Sequence, residues 1–476
     1  MSRSTFGWVL AAGVLVGCVG DKSTDPDSGS AEDGGEDEGT GDDGSGDGGT
    51  GDDGAGDGGS GDDGSGDDGA DTSDTADPGP VDRCAPLPEP EGTVVDVTVD
   101  DVGNLRSIVS GAEPGTTIRF AAGTYALNGE YLWVDVPGVS LRGVSGDPAA
   151  VVLDGGYTTT QVISVKASDV TIADLTIRRA YTHAVHVNPA DGHVTGTVIH
   201  DIVVEDPGQQ GIKVNQSGTW YADEGTIRCS EIKLTDAGRP QIRDNCYTGG
   251  IDAHRTRGWH VHDNHISGFW CDSGLSEHGI HFWQFNADTR IERNTIVNCA
   301  RGIGVGLVES ASSPRVFEGT SCDDVEAFVE DYDAVIVNNS ILADDDRLFA
   351  SASGFDTGIA LTSACGATVA HNTVYSTSAP FSSIEWRYEG TQRALVGNNL
   401  VSHAMKARPG AVVTEAGNLD SASATDFVDA AGHDLHLAPD SPAIDAGDDL
   451  SDDAPHDDID GDAREDGAPD VGADER

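Results

Sequence analysis

Short runs of alternating apolar and polar residues recur along the middle of the chain, and most of them begin with glycine. In a β-strand such alternation sends the apolar side chains to one face and the polar side chains to the other. The runs lie at residues 184–188, 211–215, 250–254, 279–283, 302–306 and 358–362. Repeats at this spacing predict a solenoid in which each run forms one rung.

Stacked rungs would bring residues that are far apart in sequence into columns, with successive members about 4.8 Å apart. The first outward column is predicted to contain His186, Lys213, Asp252 and His281, and the second Asn188, Asn215, His254 and Trp283. The stretch from Tyr247 to Trp283 alone holds six of the 15 histidines. The pattern therefore predicts one histidine-rich polar patch on the outside of the solenoid.

A second series of β-like segments alternates with these runs. Aligned on their apolar residues, the segments share one position, occupied by Leu175, Ile202, Ile232, Asn264, Asn294, Asn339, Asn372 and Asn399. Amides stacked inward at a turn can hydrogen-bond from one rung to the next. The long step between Asn294 and Asn339 contains an insertion, residues 312–333, which we expect to wall one side of a groove.

Helical periodicity is nearly absent, and runs of Val, Ile and Thr broken by Gly, Asn and Asp favour an all-β fold. The exception is a short amphipathic segment, Leu105–Ser110, before a strand and turn at 115–125. This opening resembles the N-terminal coils of pectin-lyase-like right-handed β-helices, in which a helix caps the first rung. We predict a single-stranded right-handed parallel β-helix over residues 83–423, with eight to eleven coils around one core.

The acidic segment 424–476 resembles the C-terminal segment often found after bacterial β-helices, and we expect it to be a cap that closes the last rung. Within it, Asp458, Asp460 and Asp462 have the spacing of a calcium loop but lack the distal Glu of an EF-hand. Bound Ca²⁺ is therefore an alternative and not an assigned cofactor.

The N-terminus carries Arg3, an apolar run and then Leu15-Val16-Gly17-Cys18. This resembles a bacterial lipoprotein signal peptide (1–18), which implies cleavage before Cys18 and acylation of that cysteine; an ordinary secretory signal is the alternative. Residues 21–82 hold 22 acids and one basic residue, so we expect 19–82 to be a disordered acidic tether. The expected location is the outer membrane or the cell surface, reached through the lipid anchor.

The formal charge of −56 is unevenly distributed. The 22 acids and one Lys of the tether give −21, whereas residues 205–305 hold 13 acids against ten Lys and Arg, which is −3. The overall sign argues against nucleic acid as a partner. The nearly neutral centre permits an acidic polysaccharide, and we expect a monomer.

Seven cysteines follow Cys18, and export makes disulfides expected. Pairing nearest neighbours suggests Cys229–Cys246, Cys271–Cys299 and Cys322–Cys365, with Cys84 left over. Sequence alone does not determine the connectivity.

The run Gly250–His254, followed one coil later by His278-Gly279-Ile280, resembles the site of mannuronan C5-epimerases. Those enzymes carry an Asp-Pro-His motif on one rung and a His-Gly-apolar motif on the next. Here Ala253 replaces the proline, Gly249 stands in place of a tyrosine and Arg255 in place of an acid. The resemblance covers residues 249–296 and implies a lyase or C5-epimerase that acts on a polymer containing uronic acid.

Both reactions begin by removing the C5 proton beside a carboxylate, which requires a base and neutralisation of the carboxylate. We predict that His254 is the base, that Asp252 orients it, and that Lys213 and Arg255 neutralise the carboxylate. His278 or His281 would be the acid, and Tyr247 could stand in for the missing tyrosine. The predicted substrate-binding residues are His186, Asn188, Asn215, Trp283 and Arg257.

Three other hypotheses remain open. Asp252, His254 and His281 are ligand types that bind zinc. The tryptophans could form a glycan-binding or adhesive surface, namely Trp220, Trp259, Trp270 and Trp283. A glycosidase needs two outward carboxylates, for which Asp252 with Glu277 is the best pair. A closed constellation around a buried base would favour an enzyme, and an open aromatic strip would favour binding.

Overall fold

The computed structural model describes residues 83–450, 455–464 and 468–476. The predicted signal peptide with Cys18 and the predicted tether both lie outside the described residues. Within the described part, no helix has the length and apolar character needed to cross a bilayer.

Short strands follow one another along the whole described chain. The first coils contain β1 (Val94–Val97), β2 (Thr117–Phe120), β3 (Gly123–Ala126), β4 (Leu132–Val134), β5 (Ser140–Gly143), β6 (Val151–Asp154), β7 (Gln161–Val165), β8 (Thr171–Arg178), β9 (His183–Val187), β10 (Val194–Thr195), β11 (Val198–Glu205) and β12 (Gln210–Val214). The central coils contain β13 (Ala222–Asp223), β14 (Thr226–Arg228), β15 (Glu231–Lys233), β16 (Gly249–His254), β17 (His260–His262), β18 (His265–Ser267), β19 (Ile280–Trp283), β20 (Asn286–Ala287), β21 (Arg290–Glu292), β22 (Thr295–Val297), β23 (Arg301–Val305), β24 (Asp331–Tyr332), β25 (Val335–Val337) and β26 (Ser340–Ala343).

The last coils and the C-terminal segment complete the set. They contain β27 (Thr357–Thr362), β28 (Ala364–Cys365), β29 (Thr368–Ala370), β30 (Thr373–Ser376), β31 (Ser382–Arg387), β32 (Ala394–Gly397), β33 (Leu400–Val401), β34 (Lys406–Ala407), β35 (Val413–Ala416), β36 (Leu419–Asp420), β37 (Phe427–Asp429) and β38 (Asp434–Leu437). The α-helices are α1 (Leu105–Ser110) and α2 (Asp346–Ala350). The 3₁₀ helices are Val99–Asn104, Pro148–Ala150, Arg239–Gln241, Ala424–Asp426 and Ala430–Gly432.

The strands pair in parallel from coil to coil, which makes the fold a parallel β-helix. Ten strands form one face, in the order β4-β7-β9-β12-β16-β19-β23-β27-β31-β34, and we call this face the site sheet. The other two faces join into a larger sheet because the long strands β8 and β11 contribute to both. The ten rungs of the site sheet agree with the predicted eight to eleven coils. The predicted all-β solenoid is confirmed.

The core explains why the rungs begin with glycine. Ile251, Ala253, Ile280 and Phe282 point into one continuous apolar core. A Cβ atom at Gly250 would lie 2.4 Å from the carbonyl oxygen of Gly279 and 2.8 Å from Cγ2 of Ile266. Only glycine therefore fits at this position, which is the start of the rung.

The predicted asparagine ladder is confirmed. Asn264, Asn294, Asn339, Asn372 and Asn399 are buried, and each Nδ2 donates to the Oδ1 of the next asparagine along the helix. The ladder ends at Asn418. The residue before each of these five has a positive φ, between 50° and 55°, and this bend separates the two faces of the larger sheet.

One rung of our ladder alignment is wrong. Ile232 pairs with Val204 and Ile266, so it lies two residues beyond the ladder position. Ser230 occupies that position, since its hydroxyl accepts the backbone N–H of Ile202 and its own backbone N–H bonds Asn264 Oδ1. A shift of two residues keeps the same face inward, and apolar alternation alone cannot detect it.

The amphipathic helix forms at the predicted residues. Leu105 and Val109 of α1 are buried in the core beside β4. The insertion between β23 and β24 is an irregular loop that lies beside the end of β16, because Arg315 donates to the backbone oxygen of Arg255 and to Asp223. The prediction that this loop flanks the groove is consistent with these contacts.

The C-terminal segment packs along the flank of the solenoid and not only across the end of the last rung, as we expected of a cap. Its apolar residues form a cluster with outward residues of the larger sheet, among them Phe427, Leu437 and Val471 with Val297, Leu342, Tyr375 and Leu400. Outward apolar residues on several rungs create a surface that must be covered, and this segment covers it.

The segment Asp458–Asp462, for which a calcium loop was the alternative, is held together by hydrogen bonds to its own backbone. Asp458 Oδ1 accepts the backbone N–H groups of Asp460, Gly461 and Asp462, and its Oδ2 accepts that of Glu475. These bonds account for the buried Asp458 carboxylate without an ion.

The disulfides correct two of the three predicted pairs. The structure joins Cys84 with Cys229 and Cys246 with Cys271, and it confirms Cys322–Cys365. Cys299 is a buried free thiol. Cys246 and Cys271 lie in the loops before β16 and β19 on neighbouring coils, whereas Cys84 precedes β1 and is joined across 145 residues to Cys229 after β14. Sequence proximity was therefore a poor guide.

Candidate functional site

The strand register confirms the predicted columns. Lys213 lies opposite His186 on one side and Asp252 on the other, and Asp252 lies opposite His281. In the neighbouring column His254 lies opposite Trp283. Since the intervening residues face the core, these side chains project from the outer face of the site sheet.

An ion pair lies at the centre of this patch. Nζ of Lys213 is 2.5 Å from Oδ2 of Asp252 and donates to the hydroxyl of Tyr247 at 3.1 Å. Although the two side chains point outward, only 6% of Lys213 and none of Asp252 is exposed. The outer face of the sheet is therefore covered here, and the pair lies in a closed constellation.

His254 connects to this pair through one ring nitrogen. Its Nε2 lies 3.1 Å from Asp252 Oδ1 and 3.0 Å from Lys213 Nζ. With Nε2 protonated the ring donates to Asp252 and leaves the Nδ1 lone pair free as a base. With Nε2 unprotonated it accepts from Lys213, and Nδ1–H is then a proton donor.

Nδ1 of His254 is the open end of this network. It has no hydrogen-bond partner within the described ranges, and 16% of the side chain is exposed. Trp283 packs edge-on against the imidazole, with ring centroids 4.5 Å apart, and donates its indole N–H to Asp252 Oδ1 at 3.0 Å. The ring is thus held in place, and Nδ1 is left without a hydrogen bond from the described part of the chain, on a partly exposed side chain.

Electrostatics set the charge of each group. Burial opposes ionisation of both Lys213 and Asp252, but their mutual attraction outweighs it, so the pKa of Lys213 is raised and that of Asp252 is well below its usual range. Burial, together with the Lys213 charge, lowers the pKa of His254 to about 4. Burial and the Asp252 charge raise the pKa of Tyr247. At neutral pH His254 is a neutral imidazole and Tyr247 a neutral phenol.

The upper part of the patch is a hydrogen-bonded polar surface. His186 contacts Gln161 Oε1 through Nδ1 and Asn215 Oδ1 through Nε2, each at 2.5 Å. Lys166 donates to Asn188 Oδ1 at 2.5 Å. Three of the predicted substrate-binding residues, His186, Asn188 and Asn215, therefore line one continuous strip beside Lys213. Burial lowers the pKa of His186 to about 3.

The lower part of the patch contains Glu277, His278 and His281. The two imidazole centroids are 4.3 Å apart, and Nδ1 of His281 is 3.2 Å from Glu277 Oε2. Both atoms are buried, and their contact does not have hydrogen-bond geometry. Gly304 makes room for His278, since a Cβ atom there would lie 2.5 Å from the Nε2 atom of that ring.

Two predicted residues lie away from the cluster. Arg255 follows the last residue of β16 with a positive φ of 55° and donates to the Ser313 backbone oxygen at 2.6 Å. Arg257 pairs with Asp288 at 2.6 Å. The left-handed turn sends the chain out of the strand direction, so both arginines bind the flanking loops and neither bonds to the Lys213–Asp252 pair.

Sequence reasoning gave Tyr247 too little weight and missed Lys166 and Gln161. Tyr247 follows Cys246, which is joined to Cys271, and this link helps to hold the loop that carries the phenol beside Lys213. Gln161 is the first residue of β7, and Lys166 directly follows the last residue of that strand. Extending the two columns by one coil towards the N-terminus would have found Lys166.

The tryptophans do not form an open strip. Trp259 and Trp270 are buried, Trp283 packs on the histidines, and Trp220 is 38% exposed. A cavity of about 510 Å³ exists beside Trp270, Arg239 and Arg347, but no patch residue lines it. The proton-transfer groups, and not this cavity, define the candidate site.

Comparison with known proteins places the fold. The family model for the right-handed β-helix region matches residues 161–407, which is just over half of the 476 residues. A search of curated protein sequences gives no match. Among solved structures, a pectate lyase named Pel9A aligns with a TM-score of 0.52 at 14% identity and covers 81% of this chain and 96% of its own.

Two further structures align less closely. An alginate lyase from Paenibacillus sp. str. FPU-7 has a TM-score of 0.40 at 15% identity and covers 68% of this chain and 99% of its own. PfbA, a surface adhesin of Streptococcus pneumoniae, has a TM-score of 0.42 at 12% identity and covers 68% and 90%. At these identities the likeness concerns the fold alone. The family model and the Pel9A structure confirm the predicted pectin-lyase-like β-helix.

Proposed function

The chain belongs to the right-handed β-helix family, and from that premise we propose that its site sheet acts on a polysaccharide containing uronic acid, as a lyase or C5-epimerase. The supporting observation is the environment of His254, a neutral imidazole on a partly exposed side chain, with one nitrogen in the Asp252–Lys213 network and the other without a hydrogen-bond partner among the described residues. Such an imidazole can take a proton from the carbon next to a carboxylate.

His254 is the proposed base through Nδ1. Proton uptake there produces an imidazolium, and the Asp252 carboxylate 3.1 Å from Nε2 stabilises it. Trp283 and Lys213 hold Asp252 in place through both carboxylate oxygens. An orienting carboxylate of this kind fixes the tautomer and stabilises the charged ring.

Lys213 is the proposed contact for the substrate carboxylate. Its ammonium is the closest positive charge to His254, at 3.0 Å from Nε2. A substrate carboxylate can share this ammonium with Asp252, and its negative charge then favours protonation of His254. Arg255 has no place in this proposal, because its guanidinium binds the flanking loop.

Tyr247 is the proposed proton donor. Its oxygen accepts from Lys213 while its own O–H has no acceptor within the described ranges. His278 and His281, which we considered for this role, are 2% and 0% exposed and lie beneath the accessible surface. Protonation of C5 from the opposite face would give epimerisation, and protonation of the leaving oxygen would give elimination.

The two alternative functions have less support in the geometry. Asp252 is fully buried and paired with Lys213, so it cannot act as one of two free glycosidase carboxylates. A stacking surface would need exposed aromatic rings in a row, and Trp259 and Trp270 are buried. Glycan binding without catalysis still predicts affinity for the polymer without turnover, so an assay that measures both separates the two functions.

The proposed setting is the bacterial surface. A lipid on Cys18 and the acidic stretch 19–82 would hold the β-helix away from the membrane, where a polymer can reach the site sheet. Globomycin treatment of expressing cells and mass spectrometry of Cys18 test this part separately from the enzyme assay.

The central experiment incubates the protein with alginate, pectate and glycosaminoglycans. Ultraviolet absorbance of unsaturated uronates reports elimination, and NMR reports inversion at C5. We expect turnover of at least one polymer and a loss of about a hundredfold or more in His254→Ala. His265→Ala is the matched control, because this exposed histidine lies on β18 of the larger sheet.

Two results would contradict the proposal. One is the absence of elimination and inversion with every polyuronate. The other is a folded His254→Ala variant that works at the rate of the parent. Binding of a polymer without either reaction would favour the glycan-binding alternative.

A further inference from the structure

We propose that Glu277, His278 and His281 form a binding site for one divalent transition-metal ion, with zinc as the best match. This site lies in the lower part of the patch, and neither its binding nor its test depends on the proposed polyuronate activity.

Donor atoms of the three residues already lie close to one another. One donor atom from each of the three residues lies within 4.8 Å of the other two. Bonds of about 2.0–2.2 Å to a tetrahedral ion place neighbouring ligands about 3.3–3.6 Å apart. The 3.2 Å between Glu277 Oε2 and His281 Nδ1 is close to that edge length.

The three side chains also carry donor atoms that the protein does not use. Glu277 Oε2, His278 Nδ1 and His281 Nδ1 are each buried without a hydrogen-bond partner. A buried polar group without a partner destabilises the folded state, and such groups are rare in folded proteins. Three of them in one place point to a ligand that binds all three.

The tautomer of His281 is set for coordination. Its Nε2 donates to the backbone oxygen of Gly306 at 3.3 Å, so the lone pair lies on Nδ1, the atom that faces Glu277. Histidine ligands usually donate their second nitrogen to a carbonyl or carboxylate in this way. Trp283 stacks on the same imidazole, with ring planes 8° apart, and keeps it from rotating.

Neighbouring parts of the chain position the other two ligands. The backbone N–H of Glu277 donates to the Thr248 oxygen at 2.9 Å, and Gly304 leaves the space that the His278 ring occupies. Two histidines and one carboxylate are the protein ligands of a zinc site that keeps a fourth position open. Nitrogen ligands favour zinc and similar ions over Ca²⁺, which prefers oxygen.

A second group of possible ligands gives a contrast. His436, Asp460 and Asp474 also lie within 4.8 Å of one another. There, however, both nitrogens of His436 already bond to carboxylates, to Asp434 at 2.5 Å and to Asp460 at 2.9 Å. No unpaired buried atom of that group calls for a metal, so it serves as the matched control.

The test measures zinc alone, without any polysaccharide. Protein treated with EDTA and dialysed is titrated with ZnCl₂ by calorimetry, and the bound metal is counted by mass spectrometry. We expect one saturable ion per chain, at least about tenfold weaker binding in Glu277→Gln, and loss of the site in His281→Ala. Co²⁺ in place of zinc should give the visible absorption of a four-coordinate ion, and Glu277→Gln should reduce it.

The control variants show whether zinc binds to the proposed three ligands or to other side chains. His436→Ala and His254→Ala are expected to bind zinc as the parent does. Absence of a saturable zinc site in the parent overturns the proposal. So does a site that survives Glu277→Gln and His281→Ala, or one that is lost in His436→Ala or His254→Ala. Glu277→Gln keeps the shape of a partly exposed side chain, so a folded variant is available even if the histidine variants misfold.

Discussion

The Lys213 ammonium and the Asp252 carboxylate form an ion pair on adjacent strands of the site sheet, 2.5 Å apart and almost completely buried. The two residues are 39 positions apart in sequence and opposite each other in the register. Because both charges are almost completely removed from bulk water, each depends on the other.

The first prediction concerns this dependence. Asp252→Ala leaves the Lys213 charge buried without its partner, which should lower the free energy of unfolding by about 3–5 kcal/mol. Replacing both residues together, with Lys213→Met and Asp252→Leu, removes both charges and should cost less than the single change. Urea denaturation measures both, and a single variant as stable as the parent would show that the pair is not buried in solution.

The second prediction concerns the asparagine ladder. Asn339 Nδ2 donates to Asn372 Oδ1 at 2.9 Å and to the backbone oxygens of Ile291 and Val337, while its Oδ1 accepts from Asn294. Asn339→Ala leaves several buried groups unpaired and should lower the unfolding free energy by at least about 2 kcal/mol. Asn418→Ala, at the partly exposed end of the ladder, should cost less. Equal losses in thermal unfolding would argue against the ladder.

The third prediction concerns pH and the C-terminal segment. His371 donates from Nδ1 to the Asp470 oxygen and accepts from Asn398 at Nε2, so it bonds as a neutral ring. Burial lowers its pKa from 6.5 to about 3. As the pH falls below 6.5 the unfolded chain binds the proton and the folded chain does not, so stability declines towards pH 3 by up to about 1.4 kcal/mol per pH unit.

His371→Gln offers one amide donor and one acceptor in place of the two ring nitrogens and does not titrate. Its unfolding free energy should therefore fall less steeply between pH 6 and pH 4 than that of the parent. Parallel pH profiles would show that His371 is protonated in the folded protein.

The fourth prediction concerns the cysteines. Peptide mapping without reduction should recover Cys84–Cys229, Cys246–Cys271 and Cys322–Cys365. Burial raises the pKa of Cys299 to about 12, so iodoacetamide should modify this thiol slowly in the native protein and rapidly after denaturation. Recovery of Cys271–Cys299, or rapid native labelling of Cys299, would contradict this assignment.

Local alternation was enough to predict the rungs and the outward columns. The period of two in the runs at 211–215 and 250–254 put Lys213 opposite Asp252 and His254 in the adjacent column, as the register shows. The same logic predicted the inward asparagines. Alternation works because a parallel β-helix repeats one local geometry at each coil, so that position within the rung determines the face.

The same logic failed wherever the chain left the strands. The turn after His254 directs Arg255 towards the insertion loop, and the loops that carry Cys246 and Cys271 meet only after stacking. Ser230, and not Ile232, occupies the ladder position. Alternation could not reveal this, because a shift of two residues keeps the same face inward. Turn direction and loop length carry no period, so the sequence contains no pattern that reveals them.

The sequence by itself determined the solenoid, its repeat and the residues that share the polar patch, because these depend on backbone geometry repeated every coil. Only the tertiary structure decided that the Lys213–Asp252 pair is buried, that Tyr247 reaches Lys213, and that Glu277 joins His278 and His281. Those relationships depend on how loops from different coils pack over the sheet, and packing is a property of the whole fold.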